Sequence, residues 1–222
     1  MRFDLWRGFL DLLFPPKCAF CHKILPKDCR KDGICPECME GLKKTEITSV
    51  GKCEFTDGVY SCQAYSGNVR KSIHRFKFGG RQEYSRIYAD MMAKRIIGSL
   101  GRLDIGFVTY VPTNKSHIRK RGYDHGMLIA RYIAEKLDIA EMECFRKCRE
   151  TKPMYGLTPS QRRANILGAI SLTCKKEHIM GKNVLITDDI FTTGASVSEC
   201  ARLLKSAGAG RVYVLTVAKT EK

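Results

Sequence analysis

Residues 184–196, VLITDDIFTTGAS, constrain the fold of this 222-residue chain more than any other stretch. The run VLIT (184–187) reads as a strand buried on both faces, and such strands belong to parallel sheets covered by helices. It ends in two adjacent acids. Hydroxyls and a glycine then lead into a helical pattern over about 195–207, stopped by Gly208. This order puts Asp188 and Asp189 at the carboxyl end of a sheet strand, where α/β proteins bind ligands. Thr192, Thr193 and Ser196 bring hydroxyl donors, while Gly194, followed by Ala195, lets the backbone approach closely. The free N–H groups and positive dipole end of the helix complete a cradle for a monophosphate. The two acids stand where they can accept from vicinal ribose hydroxyls. A strand-turn cap with acidic residues explains any one of these features, but not the whole set.

The rest of the chain continues the alternation. Residues 55–65 read as a strand, 83–98 as a helix, 105–111 as a buried strand stopped by Pro112, about 126–137 as a helix, and 211–218 as a closing strand. Strands alternating with helices predict a parallel sheet covered on both faces. The segment 146–166 carries too many Arg, Thr and Pro for a core element and reads as a lid. Residues 1–14 are apolar, but Asp4, Arg7 and Asp11 interrupt the run. They predict an amphipathic helix folded back on the protein rather than a signal peptide or a membrane span.

Four of the eleven cysteines form two C-x-x-C pairs, Cys18/Cys21 and Cys35/Cys38, thirteen residues apart. Each pair forms a tight knuckle, and four thiolates at tetrahedral geometry select Zn2+ in a closed, structural site. Cys29, Cys53 and Cys62 lie near enough in sequence for ligand substitution to stay open. Cysteines placed this way fit a metal module in the reducing cytosol better than a secreted disulfide framework.

The strand, acid pair and T-T-G-x-S turn resemble the signature of class I phosphoribosyltransferases. That resemblance implies ribose contacts from Asp188 and Asp189, 5′-phosphate contacts from Thr192 to Ser196, and Mg2+ travelling with the diphosphate of phosphoribosyl diphosphate (PRPP). Phe14-Pro15-Pro16-Lys17-Cys18 with the cysteine pairs, the stretch Ser72–Arg81, Val111-Pro112 with Arg121-Gly122-Tyr123-Asp124-His125, and Lys152-Pro153 with Leu157, Arg162 and Asn165 are similar to motifs of the ComF family, the late-competence group. Asp124-His125 and Met154 depart from its pattern, which has Asn-Gln and Gln there. The fold expected is thus an α/β, parallel-sheet, Rossmann-like phosphoribosyltransferase domain over 51–222, including a basic-aromatic hood at 51–82. A helix and four-cysteine zinc module over 1–50 precede it.

A net charge of +16, from 39 Lys and Arg against 23 Asp and Glu, points to polyphosphate, nucleic acid or an acidic partner surface. Six Lys/Arg face one Glu between Ser66 and Arg86, with aromatic residues interleaved. Arg75, Phe76, Lys77, Phe78 and Arg81 fit the recipe for single-strand binding, in which cations meet phosphates and rings stack on bases. A strand or hairpin with core aromatics and solvated charges is the alternative. Lys115, Arg119, Lys120 and Arg121, after Pro112, suit a diphosphate or a nucleic-acid backbone, and Arg162 joins the nucleic-acid set. His125 beside Asp124 reads as a structural pair.

Two functions follow. One is handling of single-stranded DNA in natural transformation by a cytoplasmic PRPP-binding protein, which the ComF resemblance implies together with a competence helicase as partner. The other is a phosphoribosyltransferase that moves the sugar of PRPP to an amine or base.

Overall fold

The computed structural model describes residues 13–47, 51–100, 104–150 and 156–220. The helix expected over 1–14 therefore lies almost wholly outside the described residues. Seven strands and seven α-helices are found among the described residues. They are α1 (Pro36–Lys44), β1 (Gly58–Ala64), α2 (Gly67–Phe78), α3 (Tyr84–Leu100), β2 (Phe107–Tyr110), α4 (Lys115–Arg121), α5 (His125–Leu137), β3 (Ala140–Glu141), β4 (Phe145–Lys147), α6 (Pro159–Ile166), β5 (Ile170–Leu172), β6 (Val184–Phe191), α7 (Ala195–Ser206) and β7 (Val212–Lys219). Five strands form one wholly parallel sheet in the order β1-β7-β6-β2-β3, with β6 at its centre. β4 and β5 pair antiparallel beside it.

Side-chain alternation along β6 divides the core in two. Leu185 packs with α2, α3 and α5 on one face, while Val184 and Ile186 pack with α7 and the β4–β5 pair on the other. The parallel α/β architecture read from the sequence is the one observed, with β6 running four residues further than the apolar run VLIT.

Three stretches differ from the sequence reading. The basic-aromatic tract 69–78 is a helix, neither strand nor hairpin. Val69, Ile73 and Phe76 recur at helical spacing and are buried, so its cations sit between core positions. The basic loop after Pro112 contains the short helix α4, capped by Gly122 in the left-handed region at φ 81°. The polar segment 146–166 is partly structured: β4 enters it at its start and α6 closes it, ending on the buried Ile166. Its residues 151–155 lie outside the described ones.

Residues 17–47 have no separate core. Cys18, Phe20, Leu25 and Cys35 belong to the same buried cluster as α2, α3 and the sheet. Phe20 meets Tyr88 of α3 edge-on at 6.3 Å. Arg75 of α2 donates from one guanidinium nitrogen to the carbonyls of Ala19 and Phe20, at 2.9 and 2.6 Å. Arg75 and Phe76 thus hold the amino-terminal module onto the domain. Among the described residues no helix is long and apolar enough to cross a membrane.

Phe76 is fully buried, whereas Phe78, two residues on, is 64% exposed. Phe76→Ala is expected to lower the unfolding free energy by about 3–5 kcal/mol, and Phe78→Ala by less than about 1 kcal/mol. Urea titrations of the two variants check this. Equal losses would place both rings in the core.

Candidate functional site

Two clusters carry chemistry, and α2 is bonded to the surroundings of both. The first is the cysteine set. Lys17 and Ile24 bridge antiparallel, and the Cys18 carbonyl accepts from the His22 N–H at 2.9 Å, which folds 17–24 into a knuckle. Cys35 caps α1, Pro36 occupies its first turn, and Cys38 follows one turn into the helix. The four Sγ atoms of Cys18, Cys21, Cys35 and Cys38 lie within 4.8 Å of one another. Tetrahedral Zn–S bonds of about 2.3 Å require S···S separations of about 3.8 Å, so this donor set fits a metal such as zinc. Cys29, Cys53 and Cys62 lie outside the group, so ligand substitution finds no support among the described residues. Burial pushes the Cys38 and Cys35 thiols up. At Cys18 burial acts the same way, but N–H donors from Cys35, Cys21 and Phe20 outweigh it and bring the thiol to about 7.

The second cluster lines a cleft of about 650 Å³ at the carboxyl end of β6. The 192–196 turn forms its floor. Gly194 is the residue before α7, at φ 75°, and a Cβ there would stand 2.9 Å from the Phe191 ring. Any side chain would therefore strain the turn as well as fill it. Gly194 offers no side chain to cap α7, and the first residues of that helix, Ala195, Ser196 and Val197, line the cleft. Thr192 and Thr193 are exposed beside them, and Ala195 and Ser196 open the helix.

The two acids differ. Asp188 reaches the cleft, and its Oδ1 accepts from the Asp189 N–H at 2.8 Å. The side chain of Asp189 is only 4% exposed, and its Oδ2 is held by Lys77 Nζ at 2.7 Å and His125 Nε2 at 3.1 Å. His125 Nδ1 lies 3.0 Å from the Arg121 guanidinium, an obligatory donor. Burial opposes the charge on Asp189, but Lys77 and His125 outweigh it and hold the carboxyl well below the usual carboxylate range. Burial, reinforced by the charge of Asp189, pushes Asp188 up to about 8.

Further cationic residues come from other elements. Lys147 of β4 lines the cleft near Asp188, and burial brings its ammonium down. Arg121 lies on the wall with its guanidinium 4.9 Å from the Phe78 ring centre. A second hollow of about 580 Å³ adjoins the first, sharing Lys77, Phe78, His117 and Arg121 and adding Lys120.

The structure sorts the sequence set accordingly. The turn 192–196, Asp188, Asp189 and Arg121 meet in one cleft, whereas Lys115 is exposed outside its wall. Of the nucleic-acid set, Phe78 and Lys120 stand at the hollow and Arg119 is exposed on α4. Arg75 and Phe76 are packed inside, Lys77 pairs with Asp189, and Arg81 faces Glu83 at 3.5 Å. Arg162 lies on α6, its side chain outside the described ones. Sequence reasoning missed Lys147 and His117, and it paired His125 with the wrong acid. Asp124 caps α5 by accepting from Gly126 and Met127 N–H, as an Asp just before an apolar periodic run does.

An unfolded Asp titrates near 3.9. The native protein therefore holds the Asp188 proton over a range where the unfolded chain has lost it, and stability falls as pH rises from about 4 to 8. Asp189 has the opposite sign. Its contribution is complete above about pH 4 and is lost only in stronger acid. Asp188→Asn is expected to melt higher than the parent by a margin that widens between pH 5 and pH 8. Parallel melting curves across that range would refute the assignment.

No family model matches the chain. Several curated proteins match it along most of its length. Competence protein F of Haemophilus influenzae is 29% identical over 91% of this chain and 96% of that protein. DNA utilization protein YhgH of Escherichia coli K12 is 23% identical over 91% and 90%. Competence protein ComFC of Streptococcus pneumoniae is 26% identical over 83% and 80%. Among solved structures, adenine phosphoribosyltransferase of Saccharomyces cerevisiae overlays with a TM-score of 0.42 at 15% identity, covering 65% of this chain and 82% of that one. The chain is thus similar along most of its length to competence protein F and to competence protein ComFC.

Proposed function

We propose that the chain binds PRPP or a related sugar phosphate in the β6–α7 cleft and handles single-stranded DNA in the cytoplasm during uptake of transforming DNA. The observation that carries the first half is the uncapped α7 N-terminus behind Gly194, opening onto a cleft walled by Arg121 and Lys147. A helix end of this kind favours a phosphate by N–H donation and by its dipole. Asp188 is the carboxyl that reaches the sugar. The cationic wall suits the diphosphate, with Mg2+ arriving on that diphosphate. Zn2+ in the four-thiol set would tie the Cys18/Cys21 knuckle to the Cys35/Cys38 pair at the start of α1, because so small a module needs metal to stabilise it.

The DNA half draws support from the names of the relatives, two of them competence proteins and one a DNA utilization protein. It also draws on the exposed cations and ring beside the cleft, Arg119, Lys120 and Phe78. A strand bound there has its backbone on α4 and a base against Phe78.

Ser196→Asp tests the cradle without loosening the fold. A carboxylate in the first turn of α7 suits the helix dipole, yet it repels a phosphate. Calorimetry with PRPP and Mg2+ is expected to show at least tenfold weaker binding, with an undiminished melting temperature. Equal affinity in parent and variant would place the ligand elsewhere.

For DNA, binding to an unstructured oligonucleotide should fall steeply with salt. Replacing Arg119 and Lys120 together by Ala should reduce the slope of log K against log salt by about 1.4, roughly 0.7 for each single-strand phosphate contact. An unchanged slope would exclude α4 from the interface. Absence of binding by the parent at low salt would discard DNA handling and leave sugar-phosphate chemistry as the function.

A further inference from the structure

The cleft and the hollow beside it form one continuous depression, because Lys77, Phe78, His117 and Arg121 line both. Its two ends differ in chemistry. The cleft ends in the 192–196 turn, which gathers the hydroxyls of Thr192, Thr193 and Ser196 at the start of α7. The hollow ends in Lys120, with the exposed Arg119 one residue before it on α4. Phe78 stands between them. It is 64% exposed, although the Arg121 guanidinium lies 4.9 Å from its ring centre and the His74 ring at the same distance. Bases stack on rings and guanidinium planes of this kind.

Donors and charge at the turn suit the end of a strand better than its middle. An internal phosphodiester has two unesterified oxygens and a single negative charge. A terminal phosphate has three acceptor oxygens and a charge of about −1.5 to −2 at pH 7. Asp188 keeps its proton up to about pH 8, and Asp189 is enclosed by Lys77 and His125, so neither acid drives a dianion from the turn. A 5′-phosphate also stands off its sugar ring by a methylene and can enter the turn while the ring remains in the cleft. A 3′-phosphate is bonded to the ring itself and would bring the ring against the turn.

We infer that cleft and hollow together hold the phosphorylated 5′ end of a single DNA strand: terminal phosphate on the 192–196 turn, first base against Phe78, and the phosphates that follow on Lys120 and Arg119. The inference rests on the phosphate-cradle and DNA readings above and joins them in one ligand, with no choice made at the sugar.

The test uses the full chain and an internally labelled, unstructured oligothymidylate of about twelve nucleotides, carrying a 5′-phosphate, a 3′-phosphate or no terminal phosphate. Fluorescence anisotropy at low salt is expected to show the 5′-phosphorylated strand binding at least about tenfold tighter than the other two, the worth of charge-assisted hydrogen bonds to the added group. Saturating PRPP with Mg2+ should remove that advantage, and so should Ser196→Asp. Phe78→Ala should weaken the 5′-phosphorylated strand by at least about fivefold. Equal binding of all three strands would overturn the inference and leave DNA handling standing. Equal binding of the two phosphorylated strands would overturn it too, since charge alone would then be read. So would an advantage that persists under PRPP or in Ser196→Asp, or full affinity in Phe78→Ala. Binding of no strand by the parent would overturn the DNA reading along with the inference.

Discussion

The buried carboxylate of Asp189 is the interaction on which the arrangement of the cleft depends. It lies near the end of the central strand and receives Lys77 from α2 and His125 from α5. An ionised carboxylate so enclosed is tolerated only when paired and hydrogen-bonded, and removing one partner leaves a buried charge without compensation. The pair of contacts therefore fixes two helices on β6 at the height of the phosphate turn. His125 passes the constraint on to Arg121, and Arg121 to the face of Phe78. The wall of the cleft is a chain of such contacts anchored on one acid.

Helix α2 distributes its last turn among four tasks. Arg75 donates to the module, Phe76 enters the core, Lys77 reaches Asp189 and Phe78 faces solvent. Successive residues of a helix point about 100° apart, which is the geometry that permits this. A strand would have sent Arg75 and Lys77 to one face and both rings to the other, and neither the module nor the acid would have been served. Binding recipes judged on composition treat such a tract as one surface. In the fold it is four.

The sheet and the phosphate turn were readable in the sequence because their signals are local: an apolar run, two acids, a glycine and a helical period. The helical spacing of Val69, Ile73 and Phe76 was equally local, but the interleaved cations masked it. Asp188 and Asp189 could not be told apart, since their difference depends on which face of β6 each side chain meets and on partners, Lys77 and His125, more than sixty residues away in sequence. Lys147 gave no signal at all. It enters the cleft because β4 and β5 pair and bring it there, a tertiary event that no short window contains. The cysteine pairs were legible for the opposite reason, because metal geometry imposes its spacing on the sequence directly.

The absence of a boundary between the module and the sheet has a consequence for how the molecule comes apart. Phe20, Leu25, Phe76, Tyr88 and Leu215 belong to one continuous apolar cluster, and α2 is bonded to both sides. Subglobal opening requires a seam across which few contacts run, and the described residues offer none between 17–47 and the domain. The amino-terminal cysteines and the central strand are therefore parts of a single cooperative unit, lost together in one transition rather than shed in sequence.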